Sequence, residues 1–153
     1  MKPSSTMLCA LVLIGMGAIS AAGAQTNAVT PDQLKFNRNP ATGSELAVVM
    51  GKPREPGPFV LRVRYPAGLK AMPHSHPNDT YVTVISGVLR YAEGEKYDES
   101  RFKDYPAGSF FVIPANVPHY ENATAPMEFQ AHGMGPIRFI FVDPQHDPAS
   151  KKK

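Results

Sequence analysis

The chain has 153 residues, of which 42% are hydrophobic and 19% are charged, with a formal net charge of +3 and a single cysteine. One domain of this size can bury an adequate core without cross-links, and a single cysteine excludes an internal disulfide framework. Three of the positive charges are Lys151, Lys152 and Lys153 at the end of the chain, so the remainder lacks the clustered basic surface of a nucleic-acid-binding protein.

Residues 1–24 have the features of a secretory signal peptide. Lys2 supplies a positive charge, an apolar run extends from Met7 to Ile19, and Ala22-Gly23-Ala24 is a small-residue cleavage site. The apolar run is shorter than the about 20 residues that a membrane-spanning helix needs. Cys9 lies near the start of this run and not at the cleavage point, which argues against a lipoprotein anchor. We expect a periplasmic or secreted mature chain that has no membrane association after cleavage.

A polar N-terminal arm is expected at residues 25–45. Pro31 and the residues after it predict one helical turn, which Pro40 ends. Residues 145–153 are interpreted as a basic, solvated C-terminal tail. A single domain is therefore expected at residues 46–144.

Short β-like runs separated by proline and glycine fill this domain. Phe59, Leu61, Val63 and Tyr65 alternate with charged residues, which is typical of a strand that buries one face. No long helical period is present, and many short strands with turn residues between them indicate an all-β sandwich or barrel. The predicted strands are Leu46–Met50, Phe59–Tyr65, Tyr81–Ser86, Val88–Ala92, Phe110–Ile113, Met127–His132 and Ile137–Val142. The polar run at residues 93–101 predicts an exposed loop.

Three histidines are candidate metal ligands. His74 and His76 are separated by one residue, and alternate residues of a strand point to the same face. Neutral imidazole binds many divalent transition metals. A third ligand has to come from elsewhere in the fold, and His119 follows the turn residues Gly108 and Pro114.

The spacing of these histidines resembles the two sequence motifs of the cupin family. The first motif has a glycine, His-X-His, a glutamate and a second glycine, and the second has glycine, proline, glycine, histidine and asparagine. All spacings hold in this chain, at Gly68, His74, His76, Thr80 and Gly87 and then at Gly108, Pro114, Asn116, His119 and Ala123. The resemblance covers roughly residues 46–144. It implies a double-stranded β-helix, the cupin jelly-roll barrel, in which His74, His76 and His119 hold a metal inside one end.

Three residue types differ from the family pattern. Asn116 replaces a turn glycine, and asparagine tolerates the left-handed backbone region. Ala123 replaces an asparagine at little cost. Thr80 replaces the carboxylate ligand, and a hydroxyl is a poor substitute for an anionic oxygen on a divalent ion. Asp79 and Tyr81 would face away from Thr80 in a regular strand, although a bulge in the preceding loop could redirect Asp79.

The ligand set limits the choice of metal. Three neutral imidazoles leave the double positive charge uncompensated and leave further positions open to water, oxygen or a substrate anion. Affinity should shift away from manganese and towards iron, nickel, copper or zinc. Cupins with three histidines resemble the thiol, gentisate and β-diketone dioxygenases, so iron(II) is the metal that the resemblance favours.

A second group of polar residues lies near the end of the domain. Glu128, Gln130 and His132 share one face of a predicted strand, and this face either meets solvent or lines the pocket, because alternation fixes the period but not the phase. Small secreted cupins look similar in having Gln-X-His-Gly-X-Gly-Pro here, matched by residues 130–136. On this resemblance Gln130 and His132 are candidate catalytic residues that orient the substrate or transfer a proton.

Two kinds of function remain open. The first is an iron(II) dioxygenase that acts on a small organic molecule. The alternative is a non-catalytic barrel that binds a small molecule or a metal, in which Thr80 marks a lost ligand, because the barrel by itself does not determine the activity. Pairing of two barrel edges in a homodimer is a further interaction that the sequence leaves open.

Overall fold

The computed structural model describes residues 26–40 and 42–151. The predicted signal peptide at residues 1–24 lies outside the described residues. Within them, the strands are β1 (Asn37–Arg38), β2 (Glu45–Met50), β3 (Gly57–Tyr65), β4 (Lys70–Ser75), β5 (Thr80–Ser86), β6 (Val88–Glu93), β7 (Lys103–Pro106), β8 (Phe110–Ile113), β9 (His119–Asn122), β10 (Met127–Gly135) and β11 (Ile140–Phe141). Short 3₁₀ turns occupy Pro31–Gln33, Glu99–Arg101, Pro144–His146 and Pro148–Lys151. No helix in these ranges is long and apolar enough to cross a bilayer.

The strands form two antiparallel sheets that face each other. The six-stranded sheet has the order β1-β2-β3-β10-β5-β8, and the five-stranded sheet has the order β11-β4-β9-β6-β7. Strands distant in sequence are neighbours in both sheets, so the chain crosses repeatedly between them, as in a jelly roll. The predicted all-β jelly-roll class is confirmed.

The core lies between the sheets, where β3 and β10 bury one face each. Phe59, Leu61, Val63 and Tyr65 are at most 9% exposed, as their alternation predicts. Val63 and Leu61 pair with Phe129 and Ala131 of β10, so the buried faces of the two strands coincide. Arg62 and Arg64 therefore point away from the core, where both bond to Glu128.

Three strands of four or more residues were not predicted from the sequence, namely β4, β7 and β9. They are polar: β4 contains Pro73, and β9 reads His-Tyr-Glu-Asn although all four residues are buried. The burial within β4 and β9 results from pairing with distant strands and not from a local apolar period, whereas β7 is largely exposed. The last predicted strand, Ile137–Val142, is a strand only at Ile140–Phe141.

Two turns of the motifs have the backbone that their sequence requires. Gly87 has a φ of 74°, and a Cβ atom there would lie 2.6 Å from Cβ of Met127 and 2.8 Å from the carbonyl oxygen of Pro126. Asn116 has a φ of 61°, which confirms that asparagine replaces a glycine in the left-handed region.

Candidate metal centre

The three histidines come together through the pairing of β4 with β9. His74 lies directly opposite His119 in this pair, and His76 follows the end of β4. The register shifts between Ala71 and His74, so a bulge sets the alignment of the two rings. Ring centroids are 4.3 Å apart for His74 and His119, 5.0 Å for His74 and His76, and 5.1 Å for His76 and His119.

The geometry of these rings suits a single metal ion. One ring nitrogen from each of His74, His76 and His119 lies within 4.8 Å of the other two. All three side chains are buried, with exposures of 1%, 5% and 0%. Among the described residues, no other cluster of at least three histidine, cysteine or acidic side chains approaches this closely.

Backbone carbonyl groups orient each ring. Nδ1 of His74 lies 2.8 Å from the carbonyl oxygen of Met72, Nδ1 of His76 lies 2.8 Å from that of Arg138, and Nδ1 of His119 lies 3.0 Å from that of Val117. A carbonyl oxygen only accepts, so each Nδ1 donates and carries the proton, a tautomer assigned from the hydrogen bonds.

The other ring nitrogen, Nε2, is thereby left as a lone-pair donor. For His119 this buried atom has no hydrogen-bond partner. In metal-binding histidines the ring nitrogen that does not hold the metal typically donates its N–H to an oxygen acceptor, as Nδ1 does here, and this bond fixes the ring and its tautomer. The donor set therefore fits a divalent transition metal bound by three Nε2 atoms.

Burial keeps the imidazoles in the neutral form that binds metals. It holds the pKa of His74 well below the usual value, and the neighbouring His119 and His76 lower this pKa further. Burial likewise lowers the pKa of His76 and of His119, although their backbone hydrogen bonds oppose the shift. A metal at neutral pH would therefore displace few protons.

Aromatic rings enclose the histidines. Phe139 stacks on His74 at a centroid distance of 4.7 Å and meets His76 edge-on at 4.9 Å. Tyr91 stacks on His119 from another side, at 5.6 Å. Phe139 is 54% exposed and so forms the outer wall, which separates the histidines from solvent.

The structure provides no carboxylate at the position where Thr80 replaces one. Thr80 is buried on the core side of β5, next to Val82 and Val84 in the alternation. Asp79 is not redirected to the histidines, because its Oδ1 accepts a hydrogen bond from the backbone N–H of Ala115 at 2.8 Å. Tyr81 points outwards and stacks against Phe110.

A buried carboxylate that the sequence analysis missed lies on β9. Glu121 is two residues after His119 and 4% exposed, and it accepts a hydrogen bond of 2.8 Å from the hydroxyl group of Tyr65. Burial raises the pKa of Glu121, and the carboxylate interacts electrostatically with His76. The pattern His-X-Glu would have identified it if β9 had been recognised as a strand, because residues i and i+2 share a face.

Gln130 and His132 are not brought together with the three histidines. Met127, Phe129 and Ala131 take the buried face of β10, so Gln130 and His132 lie on the opposite, outer face. Oε1 of Gln130 accepts a hydrogen bond from Arg62, and His132 stacks on Tyr81. Of the two alternatives that the sequence leaves open for this face, the structure favours the one in which it does not line the pocket, because the apolar residues of β10 set the phase of the strand.

A cavity of about 900 Å³ lies against Phe139, and none of the three histidines lines it. It is lined by β2, by the loop from Gly51 to Glu55, by Leu61 of β3 and by residues 137–139. Phe139 belongs both to this cavity and to the wall of the histidine cluster. A second cavity, of about 450 Å³, is lined by Tyr65 and Glu128 among others and contains none of the three histidines.

Solved structures with the same fold include enzymes of different kinds. An acetylacetone dioxygenase from Acinetobacter johnsonii is 16% identical, with a TM-score of 0.61 over 82% of this chain and 82% of that one. The polyketide cyclase RemF from Streptomyces resistomycificus is 16% identical, with a TM-score of 0.61 over 78% of this chain and 89% of that one. An RmlC-like cupin from Shewanella frigidimarina NCIMB 400 is 14% identical, with a TM-score of 0.58 over 74% and 94%.

At such identities the similarity establishes the fold and not the activity. No curated protein matches the chain in sequence. The family model of the cupin domain matches residues 61–142, a range that contains His74, His76 and His119. The chain therefore belongs to the cupin family.

Proposed function

We propose that this protein is an iron(II)-dependent dioxygenase that acts on a small organic molecule. The observation that carries the proposal is the set of three buried histidines, each with Nδ1 bonded to a backbone carbonyl and Nε2 left for a metal. Three ligands leave positions open for a substrate and for dioxygen, whereas a closed structural site would have four. The similarity in fold to an acetylacetone dioxygenase supports the same choice.

His74, His76 and His119 would hold the ion. Iron(II) bound there supplies electron transfer to dioxygen and Lewis acidity towards an oxygen atom of the substrate. The protein contributes a fixed orientation of the rings through the carbonyl groups of Met72, Arg138 and Val117.

Other residues control water and protons around the cluster. Phe139 and Tyr91 exclude water from the faces of the histidine rings. The hydroxyl group of Tyr65 holds its proton against Glu121, the buried carboxylate nearest in sequence to a histidine of the cluster. Gln130 and His132 have no part in the reaction that we propose, because both lie on the outer face of β10.

Metal analysis and oxygen consumption test the proposal. The protein would be purified without a histidine tag, its metals measured, and the metal-free form reloaded separately with iron(II), zinc, nickel and copper. We expect one bound ion per chain and oxygen uptake with the iron form when a β-diketone, a phenol or a thiol is added. An iron-loaded protein that consumes no oxygen with any of these would contradict the dioxygenase.

A non-catalytic metal-binding or ligand-binding cupin is the second candidate, and Thr80 at the carboxylate position favours it. Thr80→Glu distinguishes the two functions. If three histidines are the working ligands, the added carboxylate should leave metal bound and reduce oxygen uptake, because it occupies an open position. A variant that gains metal affinity over a parent with little metal and no turnover would favour the non-catalytic cupin.

We also propose that the mature protein is periplasmic or secreted. The proposal depends on the pattern of Lys2, the apolar run and Ala22-Gly23-Ala24. N-terminal sequencing of the protein from a periplasmic fraction should begin at Gln25. Recovery of the uncleaved chain in the cytoplasm would contradict it.

A further inference from the structure

The cavity of about 900 Å³ that shares Phe139 with the histidine cluster has an apolar interior that the chain leaves open. Leu46 and Val48 of β2 pair with Val63 and Leu61, which puts them on the core face of the six-stranded sheet. They are nevertheless 37% and 50% exposed, unlike their cross-strand partners. The core face of the sheet is thus uncovered along β2, and apolar surface of this kind is typical of a ligand site.

The rim of the same cavity is cationic. Lys52, Arg54 and Arg138 line it, and of these Lys52 is paired with Glu55 at 3.0 Å. The guanidinium groups of Arg54 and Arg138 form no ion pair with any carboxylate of residues 26–40 and 42–151. By contrast, Arg62 and Arg64 on the outer face of the sheet share Glu128.

Guanidinium groups suit a carboxylate better than other cations do. The planar group donates two parallel N–H bonds to the two oxygens of a carboxylate, and its charge is retained at all relevant pH values. Two such groups with no ion partner among the described residues, next to an apolar wall, match a molecule with one anionic end and an apolar body.

We propose that this cavity binds an amphipathic organic carboxylate, whose anionic group meets Arg54 and Arg138 and whose apolar body lies along Leu46, Val48 and Leu61 towards Phe139. The inference rests on the proposed function only in taking the occupant as the substrate, since Phe139 is shared by the cavity and the histidine cluster. The binding step itself needs no metal.

Calorimetric titration of the full-length protein, both metal-free and zinc-loaded, tests this subsite. The probes are octanoate and octanol, which have apolar chains of similar length and differ in charge. Octanoate should bind roughly threefold to tenfold more tightly than octanol, the range for one or two solvent-exposed ion pairs. Equal affinity for the two probes, or no binding of either, would overturn the proposal.

Substitutions assign the two ends of the site. Arg54→Gln and Arg138→Gln should each weaken octanoate and leave octanol unchanged, and the double variant should abolish the preference. Arg101→Gln is the matched control, because it removes one exposed positive charge from outside the cavity. Val48→Asp should weaken both probes. Loss of octanoate affinity in Arg101→Gln to the same extent would mean that net charge and not the cavity attracts the anion.

The outcomes separate this inference from the dioxygenase. A protein that binds iron and consumes oxygen but does not prefer octanoate retains the proposed function and loses the anion subsite. A protein that prefers octanoate but binds no metal loses the proposed function and retains the subsite. If a second copy of the chain covers Leu46 and Val48, octanoate will not bind and Val48→Asp will convert a dimer into a monomer, which also overturns the proposal.

Discussion

At the scale of single residues, the histidine cluster depends on groups that are not themselves ligands. The carbonyl groups of Met72, Val117 and Arg138 determine which nitrogen of each ring is free. Two of these groups precede their histidine by two residues, so the local chain path orients the ring. The third comes from a residue 62 positions away and orients His76 only in the folded barrel.

Glu121 is the residue whose charge we expect to matter most after the ligands. It is buried and interacts electrostatically with His76, one of three neutral imidazoles that leave the charge of a divalent ion uncompensated. Glu121→Gln keeps an acceptor for the hydroxyl group of Tyr65 and removes the negative charge. We expect zinc or iron(II) affinity to fall roughly tenfold, the size typical of losing a partner outside the ligand shell.

A competitive chelator titration measures this change. Tyr65→Phe is the control, since it removes the hydrogen bond but retains the carboxylate. If Glu121→Gln bound metal as tightly as the parent protein, the carboxylate would have only a structural role.

At the scale of elements, the two loops that bear the motifs are tied together. The backbone N–H of Asn116 donates to the carbonyl oxygen of His76 at 2.7 Å, and Ala115 N–H donates to Asp79 at 2.8 Å. The loop before β9 is thus bonded to the segment after β4. This connection holds His119 close to His76 independently of the strand pairing.

Asp79→Ala should loosen this connection. The backbone N–H of Ala115 loses its acceptor, at a cost of about 1 kcal/mol in the free energy of unfolding, and metal affinity should decrease as well. Asp79→Asn is the matched control, because its side-chain oxygen still accepts the bond. Denaturant unfolding and a metal titration of both variants would test this. If Asp79→Asn lost as much stability and metal affinity as Asp79→Ala, the charge of Asp79 and not its hydrogen bond would be responsible.

The turn between β5 and β6 requires a glycine for two reasons that can be separated. At Gly87 a Cβ atom would clash with Met127 and Pro126, and the φ of 74° disfavours other residues. Gly68, in the turn between β3 and β4, is the comparison: its φ is 80°, but no neighbouring atom lies within 4 Å of the added Cβ. Gly68→Ala should cost about 1 kcal/mol from the backbone, and Gly87→Ala about 3 kcal/mol because overpacking adds to it. Denaturant unfolding of both variants gives the comparison, and equal losses would argue against the clash.

At the scale of the whole molecule, the buried histidines couple stability to pH. Their pKa values are lowered by burial from the usual 6.5, so below about pH 6.5 the unfolded chain binds protons that the folded protein does not bind. The free energy of unfolding of the metal-free protein should therefore fall as the pH decreases from about 7.5 to 5.5. Burial raises the pKa of Glu121 above its unfolded-state value of 4.5. Above pH 4.5 the folded protein therefore retains a proton that the unfolded chain loses, and this group alone would make the free energy of unfolding rise as the pH decreases.

Thermal unfolding across this pH range tests the coupling. His119→Asn should show a smaller loss of Tm towards acid, because one group with a lowered pKa is removed. Bound zinc should raise Tm at neutral pH, and this gain should vanish in acid because protons compete for the ring nitrogens. A metal-free protein whose Tm does not change over this range would contradict the assignment of buried, neutral histidines.

The sequence by itself determined the fold class and the three histidines that come together. The alternation in β3 and β10 and the spacing of the two motifs are local properties of the chain. In the folded barrel the first appears as alternating burial and the second as the histidine cluster. The tertiary structure decided which face of β10 is buried, where Glu121 lies and how Phe139 covers His74. These features depend on register and packing between strands far apart in the chain, so a local pattern that gives the period of a strand does not give its phase or its neighbours.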